Sequence, residues 1–177
     1  INYKTPALQD EKVRKAIAMS IDKESFTETL LDGNGTAAAG PFPANFAFGD
    51  DTVTAPGYQP EEAKKLLAEA GWADSDKDGY VDKDGENLTI RWVTYPSRQE
   101  LPLLAETVQA TLKEVGIKVE VNCSADFQSF LDSGDWDIYA GAFVCAPTGD
   151  PEYFFTTHCL DESSKNRAIN CRNWKIK

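Results

Sequence analysis

Two strand-like runs, NLTIRWVTY at 87–95 and GIKVEVN at 116–122, stand on either side of one long helical pattern, LPLLAETVQATLKEVG. That order restrains the chain more than any other feature. Both runs alternate apolar and polar residues and are rich in β-branched side chains. The segment between them repeats its apolar residues at helical spacing. A helix of this length lets the second strand return parallel to the first, and such crossovers are right-handed by default. A short helical pattern, SADFQSFLDSG, and a third strand pattern, WDIYAGAFV, continue the series, and GDPEYFF restarts a helix after a bend. The order β, α, β, α, β with short connections predicts an α/β layer. Ser97 and Glu100 have capping-box spacing before the long helix, and Gly116 is placed to end it.

The amino-terminal part is helical. Val13, Ala16, Ile17 and Ile21 predict one amphipathic helix, and Asp22 predicts a cap for a second, KESFTETLL, which stops at Gly33 and Gly35. The stretch from there to Tyr58 is rich in Pro and aromatic residues without a period, and predicts an irregular surface loop. Pro60 opens a third helix with Ala63, Leu66, Leu67 and Ala70 on one stripe, ended by Gly71. No segment repeats internally. With 177 residues, 41% hydrophobic and 27% charged, the chain can bury its own core as one domain, 1–177. A net charge of −11 excludes the usual nucleic-acid and anionic-membrane partners, both of which reward clustered Lys and Arg. No apolar run approaches the roughly 20 residues of a membrane-crossing helix. The start at INYKTP, without Met, and the stop at NWKIK lead us to expect a piece excised from a longer protein.

DSDKDGYVDKDG at 74–85 poses a calcium question. Asp74, Asp76, Asp78 and Asp82 with Gly79 match the first half of an EF-hand-type loop, but Gly85 stands where a bidentate Glu should close it. The flanks read as a helix end and a strand. A hairpin turn with positive φ supplied by Asp78-Gly79 and Asp84-Gly85 therefore outranks a calcium-binding extracellular module. Cys123, Cys145, Cys159 and Cys171 contain no Cys-x-x-Cys pair, a poor zinc signature; Cys159 and Cys171 bracket a polar loop that a disulfide could close. The one histidine, His158, lies near Cys145 and Cys159. No orienting third group accompanies it, which argues against a nucleophilic enzyme. His158 is a candidate metal ligand, behind packing at a helix end.

The runs DEKVRKAIAMSIDKESF, LLDGNGTAAAGPFP, YQPEEAKKLLAEAGW, DGYVDKDGENLTI, AETVQATLKEVGIKVEV, LDSGDWDIYAGAF and GDPEYFF resemble, in this order, the second lobe of the extracytoplasmic solute-binding proteins, family 5, that serve peptide and nickel ABC importers. The resemblance implies a type II periplasmic-binding-protein-like lobe, a central mixed sheet of few strands flanked by helices. It implies a binding function rather than an enzyme, with half of a cleft on this lobe and half on the remaining lobe of the same polypeptide. ABC permease subunits would be partners, and the location would be the periplasm or the cell surface as a lipoprotein. The transported ligand would be nickel, a metal chelate or a short peptide, with no cofactor.

Ligands of open α/β sheets gather beyond the carboxyl ends of the strands. Two such ends carry the candidate site. One offers Tyr95, Ser97 and Arg98, a stacking ring and a guanidinium suited to carboxylate. The other offers Phe143, Val144, Cys145, Ala146, Pro147 and Thr148. In peptide-binding relatives the second segment pairs with an extended ligand, and an Asp in it receives the ligand's amino terminus. Here that position falls on Ala146 or Pro147, neither of which can hold an ammonium, so the resemblance leans to nickel or a metal chelate ahead of oligopeptides.

Overall fold

Four of the six residues of the central strand, Ile90, Trp92, Val93 and Thr94, are buried, and because successive side chains leave on opposite faces this sets the layering. The computed structural model describes residues 1–43, 46, 48–49, 52–143 and 150–158, without the side chains of 156–158. Strand β3 (Thr89–Thr94) lies between β4 (Lys118–Cys123) and β5 (Ile138–Tyr139), parallel to both. Its register with β4 runs from Thr89 opposite Lys118 to Thr94 opposite Cys123; with β5 only Trp92–Ile138 and Val93–Tyr139 pair. Helix α4 (Glu100–Glu114) makes the crossover, and its Ala105, Val108 and Leu112 close over Ile90, Trp92 and Val119. Helices α1 (Glu11–Met19) and α3 (Pro60–Glu69) extend the same core with Val13, Ala16, Ile17, Ala63 and Leu67. On the opposite face α5 (Phe127–Ser133) lays Leu131, Phe127 and Phe130 against Val93, Trp136 and Tyr139. A strand buried on both sides is what a parallel sheet requires.

The local punctuation acts as its chemistry dictates. Asp10 caps α1 by accepting from Lys12 N, and Asp22 caps α2 (Lys23–Ser25) by accepting from Ser25 N, after which Phe26–Leu30 winds as a π-helical turn. Strands β1 (Asp82–Lys83) and β2 (Glu86–Asn87) form an antiparallel hairpin apart from the parallel sheet. Its two turn residues, Asp84 (φ +56°) and Gly85 (φ +83°), both have the positive φ of the primed hairpin turns. One turn earlier the expectation is corrected: Lys77 (φ +65°) and Gly79 (φ +92°) are left-handed, and Asp78 is not. Gly116 (φ +82°) ends α4, and its carbonyl accepts from Val81 N; a Cβ there would meet Val81 Cγ1 at 2.9 Å. The turn after α4 is thus pressed against the hairpin.

Two further expectations are corrected. Ser97 does not cap α4. Gln99, the residue before the helix, is already right-handed (φ −61°, ψ −31°), and Leu101 N donates to the Arg98 carbonyl. The chain curls before Glu100, so no extended residue is available to turn a side chain onto the first amides. The third strand is also shorter than WDIYAGAFV. β3 turns away at Pro96, and beyond Tyr139 the backbone finds substitute partners: Ala140 N donates to Val93 O, Thr94 Oγ1 donates to Ala140 O, and Ala142 N donates to the Tyr95 hydroxyl oxygen.

Candidate ligand-binding site

These substitute bonds bring the two candidate segments together. Tyr95 follows β3, and the run Ala140–Phe143 follows β5, so both leave the carboxyl edge of the sheet side by side. The 3.0 Å bond from Ala142 N to Tyr95 Oη joins them directly. Phe143 is exposed and meets Tyr139 edge-on, with centroids 6.3 Å apart. Pro96, Ser97, Arg98 and Gln99 are exposed in the turn before α4. Among the described residues the Arg98 guanidinium makes no ion pair, which leaves a cation at the rim of the edge. Val144, Cys145, Ala146, Pro147 and Thr148 lie outside the described residues, as do Cys159 and Cys171. His158 is the last residue of α6 (Glu152–His158). Asp150 precedes that helix, its carboxylate accepting from Glu152 N at 2.9 Å.

Sequence reasoning missed two aromatic members of this edge. Phe127, at the start of α5, stacks on Tyr139 at 5.5 Å with only 10° between the rings, and Tyr95 lies 4.8 Å from Phe127. Tyr139 is half-buried. Burial, and then the neighbouring Tyr95, push its hydroxyl up to about 12, so it stays a neutral phenol at physiological pH. The signal was present as alternation in WDIYAGAF, but the strand pattern cannot say which face meets α5. Cys123, an exposed free thiol, ends β4 opposite Thr94 at the same edge.

The acidic loop uses its carboxylates internally. Asp74, Asp76 and Asp78 bring ligand atoms within 4.8 Å of one another at the surface. Asp74 accepts from Gly79 N at 3.2 Å and Asp76 from Asp78 N at 3.2 Å. Asp78 is engaged through both oxygens, by Tyr80 N and by the Asn87 amide, each at 2.8 Å. Asp82 is turned onto Ser75, whose amide and hydroxyl hold its carboxyl below the usual range. The arrangement braces the entry to the β1–β2 hairpin.

Known proteins resemble this chain in architecture and in sequence. The chain is 36% identical over 144 residues to the oligopeptide-binding protein AppA of Bacillus subtilis, a match covering 78% of this chain and 26% of AppA. It is 29% identical over 162 residues to the nickel-binding protein NikA of Staphylococcus aureus, covering 90% of this chain and 30% of that protein. The crystal structure of NikA from Brucella suis in complex with Fe(III)-EDTA superposes with a TM-score of 0.83 at 27% identity, covering 97% of this chain and 34% of that one. The fold is therefore that of a part of these proteins, and the chain spans about a quarter to a third of their length. Residues 1–166 match the family described as "Bacterial extracellular solute-binding proteins, family 5 Middle", and the chain belongs to the bacterial extracellular solute-binding proteins, family 5.

Proposed function

We propose that residues 1–177 form the second lobe of a two-lobed substrate-binding protein of an ABC importer, with the carboxyl edge of the sheet as its half of the ligand cleft. The observation that carries this reading is the convergence of Tyr95 with Ala140–Phe143 at that edge, in a chain of this family. The aromatic rings offer faces for stacking. Arg98 offers a guanidinium for a carboxylate, and Ser97 and the segment Val144–Thr148 complete the half-site. The protein captures and releases its ligand without transforming it. It works outside the cytoplasm with permease subunits; among the described residues, no helix is long and apolar enough to cross a membrane.

The preferred ligand is nickel held in a small chelate. By the resemblance, the Asp that a peptide binder of this family would present to an ammonium falls on Ala146 or Pro147, and a carboxylate-rich chelate needs the cation of Arg98 more than it needs an anion. Oligopeptide capture is the second reading, favoured by the 36% identity to AppA. Native mass spectrometry of the full-length protein purified from rich medium separates the two. We expect a mass increment of a metal chelate. A ladder of peptide masses would transfer the protein to the second reading, and ester or peptide hydrolysis that requires Cys145 would overturn the binding reading altogether.

A further inference from the structure

We propose that Asp137 is a positioning residue for the ligand-facing edge: its buried carboxylate sets the register of β5 and so aims Tyr139 and the run through Phe143. The proposal rests on the reading of that edge as half of the cleft. Strand β5 has two ladder pairs with β3, too few to specify a register by pairing alone. What precedes it is far more specific. Asp137 is 1% exposed. Its Oδ2 accepts from Arg91 N at 2.8 Å and Arg91 Nε at 3.0 Å, and its Oδ1 accepts from Arg91 Nη2 at 2.7 Å and Thr5 Oγ1 at 2.6 Å. Arg91 Nη1 also pairs with Asp135.

The backbone around Asp137 is held as firmly. Its backbone N–H donates to Arg91 O at 2.9 Å, its carbonyl accepts from Asn2 N at 2.7 Å, and the Asn2 side-chain Nδ2 donates to Trp136 O at 2.8 Å. One carboxylate thereby joins β3, the entry to β5 and the amino-terminal segment. The fork of Arg91 accepts a carboxylate in one geometry, which a neighbouring register would not reproduce.

Alternation carries this constraint to the edge. Arg91 and Val93 share one face of β3; Asp137, the residue just before β5, bonds to Arg91, and Tyr139, two residues on, pairs with Val93. A slip of one residue would strip the carboxylate of its fork, draw Ile138 out of the main core and swing Tyr139 away from Phe127. The three bonds that follow, Ala140 N to Val93 O, Thr94 Oγ1 to Ala140 O and Ala142 N to Tyr95 Oη, align in one register only. The aim of the edge is thus decided at the far end of the strand.

The test compares Asp137→Asn with Leu112→Ala, a fully buried change on α4 that leaves the Asp137 contacts in place, in the full-length protein that carries this chain. Amide hydrogen exchange is read by mass spectrometry on a peptide spanning 138–143 and on one spanning 118–123. Binding of a nickel–histidine complex and of a nonapeptide is read by calorimetry. We expect Asp137→Asn to speed exchange in 138–143 by about tenfold relative to 118–123, and to weaken whichever probe the wild type binds by about tenfold. Leu112→Ala should raise exchange in both peptides together. Equal acceleration of both peptides by Asp137→Asn, or none, overturns the proposal. Selective acceleration with unchanged probe affinity overturns the link to the ligand. A wild type that binds neither probe counts against the proposed function, while the exchange comparison still decides the register. Should Asp137→Asn fail to fold, Arg91→Lys, which keeps the charge and loses the fork, carries the same comparison.

Discussion

Tyr95 enters any ligand complex with its hydroxyl oxygen already accepting from Ala142 N, so what it offers is mainly the ring face. Arg98 is the opposite case: its side chain is exposed in a turn that continues directly into α4, free to follow a ligand. In the full-length protein, Arg98→Ala should weaken binding of a carboxylate-bearing chelate or peptide by about 2–5 kcal/mol, the range for stripping a desolvated charge of its partner. Calorimetry measures it, and an unchanged affinity would remove Arg98 from the cleft. At this scale the sequence was legible wherever chemistry is local. Asp22, Gly116 and the Asp84-Gly85 turn act as their neighbours in sequence predict. Ser97 does not, because a cap depends on backbone angles that its spacing to Glu100 leaves open.

Strand β5 depends on an ion pair, and its element-scale stability should therefore depend on pH. Burial pushes the Asp137 carboxyl up, but hydrogen bonds from Arg91 and Thr5 outweigh it and hold the group below its ordinary value. The same contacts raise Arg91 further above its ordinary range. A carboxyl depressed on folding contributes stability above its unfolded pKa of about 4, and that contribution is lost as pH falls through the folded value. Asp137→Asn should cost about 3 kcal/mol at pH 7, the lower range for breaking a buried pair. The gap from wild type should then narrow below about pH 4, when the wild-type carboxyl takes up its proton. Urea unfolding of the 177-residue chain at pH 7 and pH 3 checks this; a gap constant with pH would show that Asp137 keeps its ordinary acidity. Glu11, Glu61 and Glu69 are also held low by lysine partners at the surface, and they add a background shared by both variants.

For the molecule as a whole, the two cores and the layered sheet belong to this chain, whereas the proposed cleft belongs half to another lobe. The isolated 177 residues should melt cooperatively and bind a nickel chelate or a peptide several orders of magnitude more weakly than the full-length protein, since each 1.4 kcal/mol of lost contact costs about tenfold. Micromolar binding by the isolated chain, measured by calorimetry, would place the whole site within it. The periods of the sequence were enough to determine the order of strands and helices and the parallel crossover through α4, and the resemblance carried by the run of motifs pointed to the family. The periods also located Tyr95 just past the end of β3, whereas Phe143 lies four residues beyond Tyr139, where β5 stops. Which rings would stack beside them was decided by tertiary structure alone, and so was the pairing of Arg91 with Asp137, 46 residues apart, and of Thr5 with Asp137, 132 residues apart. Alternation states that a side chain leaves a strand on one face or the other, but only the packing of α4 and α5 onto opposite sides gives each face its partners.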